Sequence, residues 1–182
     1  MSQKTDAPLD TYEVNSSTIA VLPEPMNGKM YSKIIEKDCT FYVSMKPLQI
    51  VDRSCRYFGS SYAGRKAGTY EVINISHKPP IMVDLSNHIF LFPTLSSTRP
   101  QCGWISHVHV KEFKATEFDD TAVTFSNGKT MELPVSCNSF DNRKVKIKKI
   151  GISLLCQGTK ALVTQGEESS KHADEGRAFF VP

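Results

Sequence analysis

The chain lacks any long hydrophobic segment. Its uninterrupted apolar runs, such as Ile89–Phe92, are only a few residues long, whereas a membrane-spanning helix needs about 20 mostly apolar residues in succession. The N-terminal residues Met1–Pro8 carry no apolar core of the kind found in a signal peptide. From the sequence we therefore expect no export signal, no membrane span and a cytosolic location.

Cysteine is present, but never in the short C-x-x-C spacing that marks many metal sites and redox pairs. The total of five is odd, so at least one thiol is left over in any pairing scheme. Without an export signal, this pattern is typical of reduced thiols in the cytosol. The five are Cys39, Cys55, Cys102, Cys137 and Cys156.

A surplus of charge of one sign is also absent. The 182 residues carry 22 Lys and Arg against 19 Asp and Glu, a formal net charge of +3, which excludes an acidic disordered solubiliser and a strongly basic histone-like tail. Positive charge is nevertheless concentrated in one segment, Lys46–Lys78, where Asp52 and Glu71 are the acidic residues. The basic residues of this segment are Lys46, Arg53, Arg56, Arg65, Lys66 and Lys78.

The length fits one domain, or one domain with a tail. Up to about residue 138, apolar and polar residues alternate with period two between turn dipeptides, which predicts antiparallel strands. The dipeptides Asn27-Gly28 and Asn127-Gly128 predict turns, the second at the centre of a hairpin. Two further predictions are a strand over Thr69–Ser76 and one long strand over Trp104–Phe113.

One segment has helical periodicity. Between Pro47 and Gly59, apolar residues recur at separations of three, four and three, which places them on one face of a helix. Proline at the first helical position and glycine just after the last are typical helix ends. The apolar residues are Leu48, Val51, Cys55 and Phe58. We therefore predict an α+β fold, a strand-dominated antiparallel single domain with a short helix near residues 47–58 and an irregular C-terminal tail.

Beyond Phe140 the texture of the sequence changes. Arg143–Lys149 is a basic alternating run, and Gln165–Arg177 is polar and without periodicity. This predicts a boundary near residue 140, with a folded domain over residues 1–140 and a poorly ordered tail over residues 141–182.

The segment after the predicted helix is the first candidate site. Gly59 and Gly64 have the spacing of a phosphate-binding loop, but Arg65 and then Lys66-Ala67 stand where such a loop needs Lys and Ser or Thr. This excludes nucleotide hydrolysis. Glycines let backbone N–H groups approach an anion closely, and two adjacent cations favour phosphate, so a nucleic-acid backbone is the predicted ligand. An ordinary solvated turn is the alternative.

The predicted helix adds two arginines to this site. Arg53 and Arg56 are three positions apart, and they would form one basic surface with Arg65 and Lys66 if the turn folds back beside the helix. Arginine suits such a surface because its planar guanidinium binds phosphate through two hydrogen bonds and enters a narrow minor groove.

Cys102, His107 and His109 raise the hypothesis of a metal-dependent enzyme, because the two histidines would point to the same side of a strand. A zinc site needs three or four ligands, usually with paired short spacings, and no second pair is evident. Two half-exposed strand histidines are the alternative. No hydrolytic constellation is marked either, so the sequence demands neither an enzyme nor a cofactor.

Five long segments resemble the ComK family of competence transcription factors. The match covers nearly all of residues 1–140. The segments are Ser32–Asp38 (SKIIEKD), Lys46–Cys55 (KPLQIVDRSC), Phe58–Gly68 (FGSSYAGRKAG), Ile89–Trp104 (IFLFPTLSSTRPQCGW) and Thr124–Pro134 (TFSNGKTMELP). The resemblance implies a DNA-binding activator, at the nucleoid in the cytoplasm, that switches on the genes for DNA uptake and its own gene.

The resemblance also implies partners. The family binds paired A/T-rich boxes in double-stranded DNA as an oligomer, largely through the minor groove, and activates transcription by RNA polymerase. A MecA-like adaptor delivers it to a Clp protease. No family motif names each DNA contact, so the candidates remain those predicted from charge and position. They are Arg53, Arg56, Arg65, Lys66 and, with a solvated loop arginine as the alternative, Arg99.

From about Asp141 the chain departs from the family pattern. A shifted reading frame that replaced the natural C-terminal part is the simplest hypothesis. The family's C-terminal part is tied to activation and to adaptor-mediated turnover. Two functions therefore stay open: an activator of competence genes, and a non-activating β-rich interaction module that binds partners or the Clp adaptor only.

Overall fold

A computed structural model describes residues 7–150 of the chain. The strands and helices of the first half are β1 (Thr18–Met26), β2 (Lys29–Glu36), β3 (Thr40–Val43), α1 (Pro47–Tyr57) and α2 (Tyr62–Ile73). Those of the second half are β4 (Ile81–Asp84), β5 (Ile89–Pro93), β6 (Trp104–Ser106), a 3-10 helix (His107–His109), β7 (Val110–Ala115), β8 (Thr121–Phe125), β9 (Thr130–Leu133) and a third helix, α3, over residues 137–150. No helix in this part of the chain is long and apolar enough to cross a membrane.

The strands form two antiparallel sheets, one of six strands in the order β3-β2-β1-β6-β5-β4 and one of three in the order β7-β8-β9. The predicted α+β single domain is confirmed, including the helix near residues 47–58. Both predicted turns are also confirmed. Asn27-Gly28 joins β1 to β2 with positive φ values of 49° and 72°, and Asn127-Gly128 joins β8 to β9.

The six-stranded sheet is buried on both faces. On one face, Val51 of α1 and Trp104 of β6 belong to the same hydrophobic cluster. On the other face, Phe92 of β5 and Phe140 of α3 join the three-stranded sheet in a second cluster. The run Ile89–Phe92 is continuously apolar because successive side chains of a strand point to opposite faces, and here each face is covered.

The predicted strand over Thr69–Ser76 is wrong, because α2 extends to Ile73. This helix begins after Ser61, whose hydroxyl oxygen accepts a hydrogen bond from the Gly64 N–H at 3.0 Å. It ends at Asn74 in the left-handed conformation, with φ 53°. These caps offset part of the cost of its two internal glycines, each of which costs about 1 kcal/mol relative to alanine.

The predicted long strand over Trp104–Phe113 is also wrong. β6 belongs to the six-stranded sheet and β7 to the three-stranded sheet, and the 3-10 helix carries the chain from one to the other. His109 fixes this crossing, because its ring nitrogens hydrogen-bond the Ser126 hydroxyl and the Ser16 carbonyl, each at 2.9 Å. Because the alternation of apolar and polar residues continues through the 3-10 helix, the sequence does not show where the chain leaves one sheet for the other.

Position 140, the predicted boundary, lies inside α3. Phe140, Ile147 and Ile150 are buried in the second cluster, and Arg143 is buried on the same face of the helix. Because Arg143 is charged, the sequence does not show these four positions as one apolar stripe. Residues 141–150, which we expected in a poorly ordered tail, are therefore helical and packed. Residues 151–182 lie outside the described residues, so the expectation for them stays a prediction.

Candidate nucleic-acid interface

α1 presents its two arginines to solvent. They lie outside the buried stripe of the helix, and the side chains of Arg53 and Arg56 are 46% and 72% exposed. Each forms a surface ion pair, Arg53 with Glu13 at 2.5 Å and Arg56 with Asp52 at 2.9 Å. Exposed pairs of this kind are worth about 0–1 kcal/mol, so a phosphate group can replace the carboxylates at little cost.

Asp52 links the two helices. One of its carboxylate oxygens pairs with Arg56, and the other accepts a hydrogen bond from the Tyr62 N–H at 2.9 Å. Because Tyr62 is the first residue of α2, Asp52 places negative charge at the positive end of that helix dipole. This contact fixes the short turn between the helices and packs α2 against α1.

Arg65 lies at the junction of the two helices. It is partly buried, its guanidinium donates a hydrogen bond to the Phe58 carbonyl at 3.2 Å, and its Nε atom is buried. Phe58 is the C-cap residue of α1, so the guanidinium also stabilises the negative end of the α1 dipole. The Arg65 guanidinium therefore has a structural role, and only part of its charge remains available to a ligand.

The predicted glycine-rich anion loop is wrong as a local structure. Gly64 and Gly68 lie inside α2, where backbone groups serve the helix instead of a cradle for an anion. Gly59 has a left-handed φ of 74°, and it terminates α1. What remains of the predicted site is the side chain of Lys66, which is exposed on α2.

We use the name α1–α2 basic surface for the exposed cations of these two packed helices, which are Arg53, Arg56 and Lys66. Tyr57 of α1 is 72% exposed and Tyr70 of α2 is 48% exposed. Aromatic rings exposed on the same helices as these cations offer stacking surfaces for unpaired bases. Sequence reasoning missed Tyr70 because its segment has the pattern of a strand.

Arg99 is exposed on a different element, the loop between β5 and β6. The next residue, Pro100, lines a groove of about 690 Å³ at the N-terminal end of α1, together with Lys29 of β2 and the N-cap residue Lys46. No acidic side chain is among the lining residues of this groove. Sequence reasoning missed Lys29, because only the fold brings the β1–β2 hairpin next to α1.

The histidine and cysteine candidates are engaged elsewhere. Both histidines lie in the 3-10 helix and not on one side of a strand. His109 uses both ring nitrogens in the hydrogen bonds that fix the sheet crossing, and the Cys102 thiol contacts the carbonyls of Leu95 and Gly103 at 3.4 Å. Within residues 7–150, no group of three or more His, Cys, Asp or Glu is arranged to hold a metal ion.

Comparison with known proteins adds two findings to this geometry. The family model described as "ComK protein" matches residues 9–157. The chain is also 85% identical over 143 residues to the protein named "Competence transcription factor" from Bacillus subtilis (strain 168), a match that covers 79% of this chain and 74% of that protein. No solved structure matches the chain. The family match includes both sheets, all three helices as described, and the predicted boundary near residue 140.

Proposed function

The chain belongs to the ComK family, and from this premise we propose that it activates the genes for DNA uptake, and its own gene, by binding A/T-rich boxes in double-stranded DNA mainly through the minor groove. It is a competence transcription factor, and its family is one of regulators and not of enzymes. The observation that carries the proposal is the 85% identity to a protein named as a competence transcription factor.

We assign the first phosphate contacts to the α1–α2 basic surface. Its three cations are exposed, and Arg53 and Arg56 are neutralised only by surface ion pairs. Phosphate contacts fix the position of a protein on the duplex but carry no sequence information. Preference for A/T boxes then arises from the narrow minor groove, whose strong negative potential attracts inserted arginine side chains.

A second set of contacts lies at the other end of α1. Lys29 and Lys46 line the groove there, Arg99 precedes its lining residue Pro100, and the α1 dipole adds positive potential at the same end. α1 has 11 residues and is about 16 Å long, which equals about five base pairs of a duplex. A duplex lying along α1 would therefore meet both sets of cations within about half a helical turn.

Arg65 has a positioning role in this arrangement. Its hydrogen bond to Phe58 and its burial hold the turn that sets α2 beside α1. Arg65 affects DNA binding mainly by positioning Lys66. Its guanidinium group supplies a further phosphate contact where the duplex comes close.

The proposal includes two protein partners, RNA polymerase and a MecA-like adaptor of a Clp protease, and an oligomeric, nucleoid-associated state in the cytoplasm. Their support is the family membership. Lys146, Lys148 and Lys149 add a basic stretch on α3. Its attraction to DNA is non-specific, and it is screened beyond about 8 Å at physiological ionic strength.

Titration of the full chain into fluorescent duplexes tests the proposed recognition. We expect a duplex with two A/T boxes to bind at least about tenfold more tightly than a mixed-sequence duplex of equal length at physiological salt. A minor-groove drug should displace the chain from the A/T duplex. Equal affinity for the two duplexes would contradict selective recognition, and absence of binding would favour the non-activating interaction module.

A further inference from the structure

β7 is an edge strand. In the part of the chain that the structure describes, the smaller sheet has the order β7-β8-β9, so β7 pairs with β8 on one side only. Of its six residues, Lys111, Glu112, Lys114 and Ala115 are exposed. A register shift between Val110 and Glu112 interrupts this edge, and from Glu112 to Ala115 its backbone N–H and C=O groups can pair with a further strand.

The hydrogen-bond pattern shows which residues face the free edge. Thr116 donates its N–H at 2.9 Å to the carbonyl of the residue opposite it in the hairpin. In an antiparallel pair, every second residue bonds to the same neighbour, so Lys114 and Glu112 also bond to β8. The N–H and C=O groups of Phe113 and Ala115 therefore point away from β8, to the free edge.

A second copy of the chain can pair with this edge about a two-fold axis. If the axis passes through Phe113, the two Phe113 residues form a hydrogen-bonded pair, and Glu112 lies opposite Lys114 of the second copy on both sides. These are non-hydrogen-bonded pairs, whose side chains approach most closely. Glu112 and Lys114 line one hollow on the outer face of the sheet, so both charges are on the same side. An axis through either of them would instead oppose like charges.

Two exposed apolar residues lie at the two ends of this edge. Phe118 is 86% exposed in the β7–β8 turn, and Val108 is 52% exposed just before β7. They lie five residues after and five residues before Phe113. Both lie outside β7, Val108 in the 3-10 helix and Phe118 in the turn, so each flanks the edge that a second copy would cover.

We propose that β7 is the interface between two copies of this chain, which join into a continuous six-stranded antiparallel sheet about a two-fold axis at Phe113. The outward backbone groups and the opposite charges find partners in this one register. The interface depends on the geometry of β7 alone, so it holds or fails independently of the proposed DNA binding.

Sedimentation equilibrium of the full chain, without DNA, tests the interface. The wild type is expected to form dimers through this interface, because a two-fold interface closes once two copies are joined. E112K and K114E each turn two opposite-charge pairs into like-charge pairs, so each should raise the dimer dissociation constant by about tenfold or more. The double variant E112K/K114E restores opposite charges in exchanged positions and should recover the wild-type constant.

Glu132→Lys is the matched control, since it makes the same charge change at an exposed position of β9, on the opposite edge of the sheet. It should leave the dimer unchanged. Ala115→Pro removes an outward N–H while leaving the bonds to β8 in place, so it should give a monomer with the wild-type urea midpoint. A wild type that is monomeric at every concentration, or a dimer that none of the β7 changes weakens, would overturn the proposal.

Discussion

Replacement of Phe140 by alanine is expected to lower the free energy of unfolding by about 3–5 kcal/mol, the usual cost of deleting a buried aromatic side chain. Phe140 is fully buried, with ring centroid distances of 5.2 Å to Phe92 of β5 and 5.0 Å to Phe113 of β7. Through this side chain, α3 joins the two sheets. The midpoint of urea unfolding measures the change.

Val145→Ala is the matched control for this prediction, because Val145 lies on the same helix and is 44% exposed. It should change the free energy of unfolding by no more than about 0.5 kcal/mol. If Phe140→Ala unfolded at the wild-type midpoint, α3 would not belong to the folded core, and a boundary near residue 140 would be correct after all.

Lowering the pH from about 7.5 to about 5 is expected to cost about 2 kcal/mol of stability through His107. Burial, with smaller effects of Lys144 and Lys148, lowers the pKa of His107 to about 4, compared with about 6.5 in an unfolded chain. The folded chain keeps this imidazole neutral, whereas the unfolded chain takes up a proton, so acid favours unfolding. The contribution is fully present above pH 6.5 and is lost as the pH falls towards 4.

His107→Gln provides the comparison, because glutamine is polar and stays neutral throughout this pH range. Urea midpoints at the two pH values should fall less in the variant than in the wild type. The residual fall belongs to groups such as His109, whose pKa is also lowered by burial. An equal fall in both proteins would contradict the assignment to His107.

The two neighbouring helices show how far the sequence predicts the fold. α1 has an apolar stripe, a proline at its start and a glycine after its end, so three independent signals agree. α2 has only Thr69 fully buried, and its glycines weaken the helical pattern. Its start depends on Asp52 of α1, a contact between two elements that no local pattern contains.

The candidate site was predictable to a similar extent. Exposure of Arg53 and Arg56 follows from the apolar stripe of α1, since they lie outside it. That Arg65 is partly buried while Lys66 is exposed depends on the orientation of α2, a helix that the sequence did not predict. The grouping of Lys29 and Lys46 next to the loop of Arg99 requires the β1–β2 hairpin to lie beside α1.

The salt dependence of binding to the A/T duplex tests the role of the α1–α2 basic surface most directly. Each lost phosphate contact reduces the slope of log K against log salt by about 0.9. We predict that the variant R53Q/R56Q/K66Q binds with a slope shallower by about 2.7, while its urea midpoint stays near the wild type. Lys129→Gln, a change at an exposed lysine of the β8–β9 turn, should keep the wild-type slope. A triple variant with the wild-type slope would contradict this account.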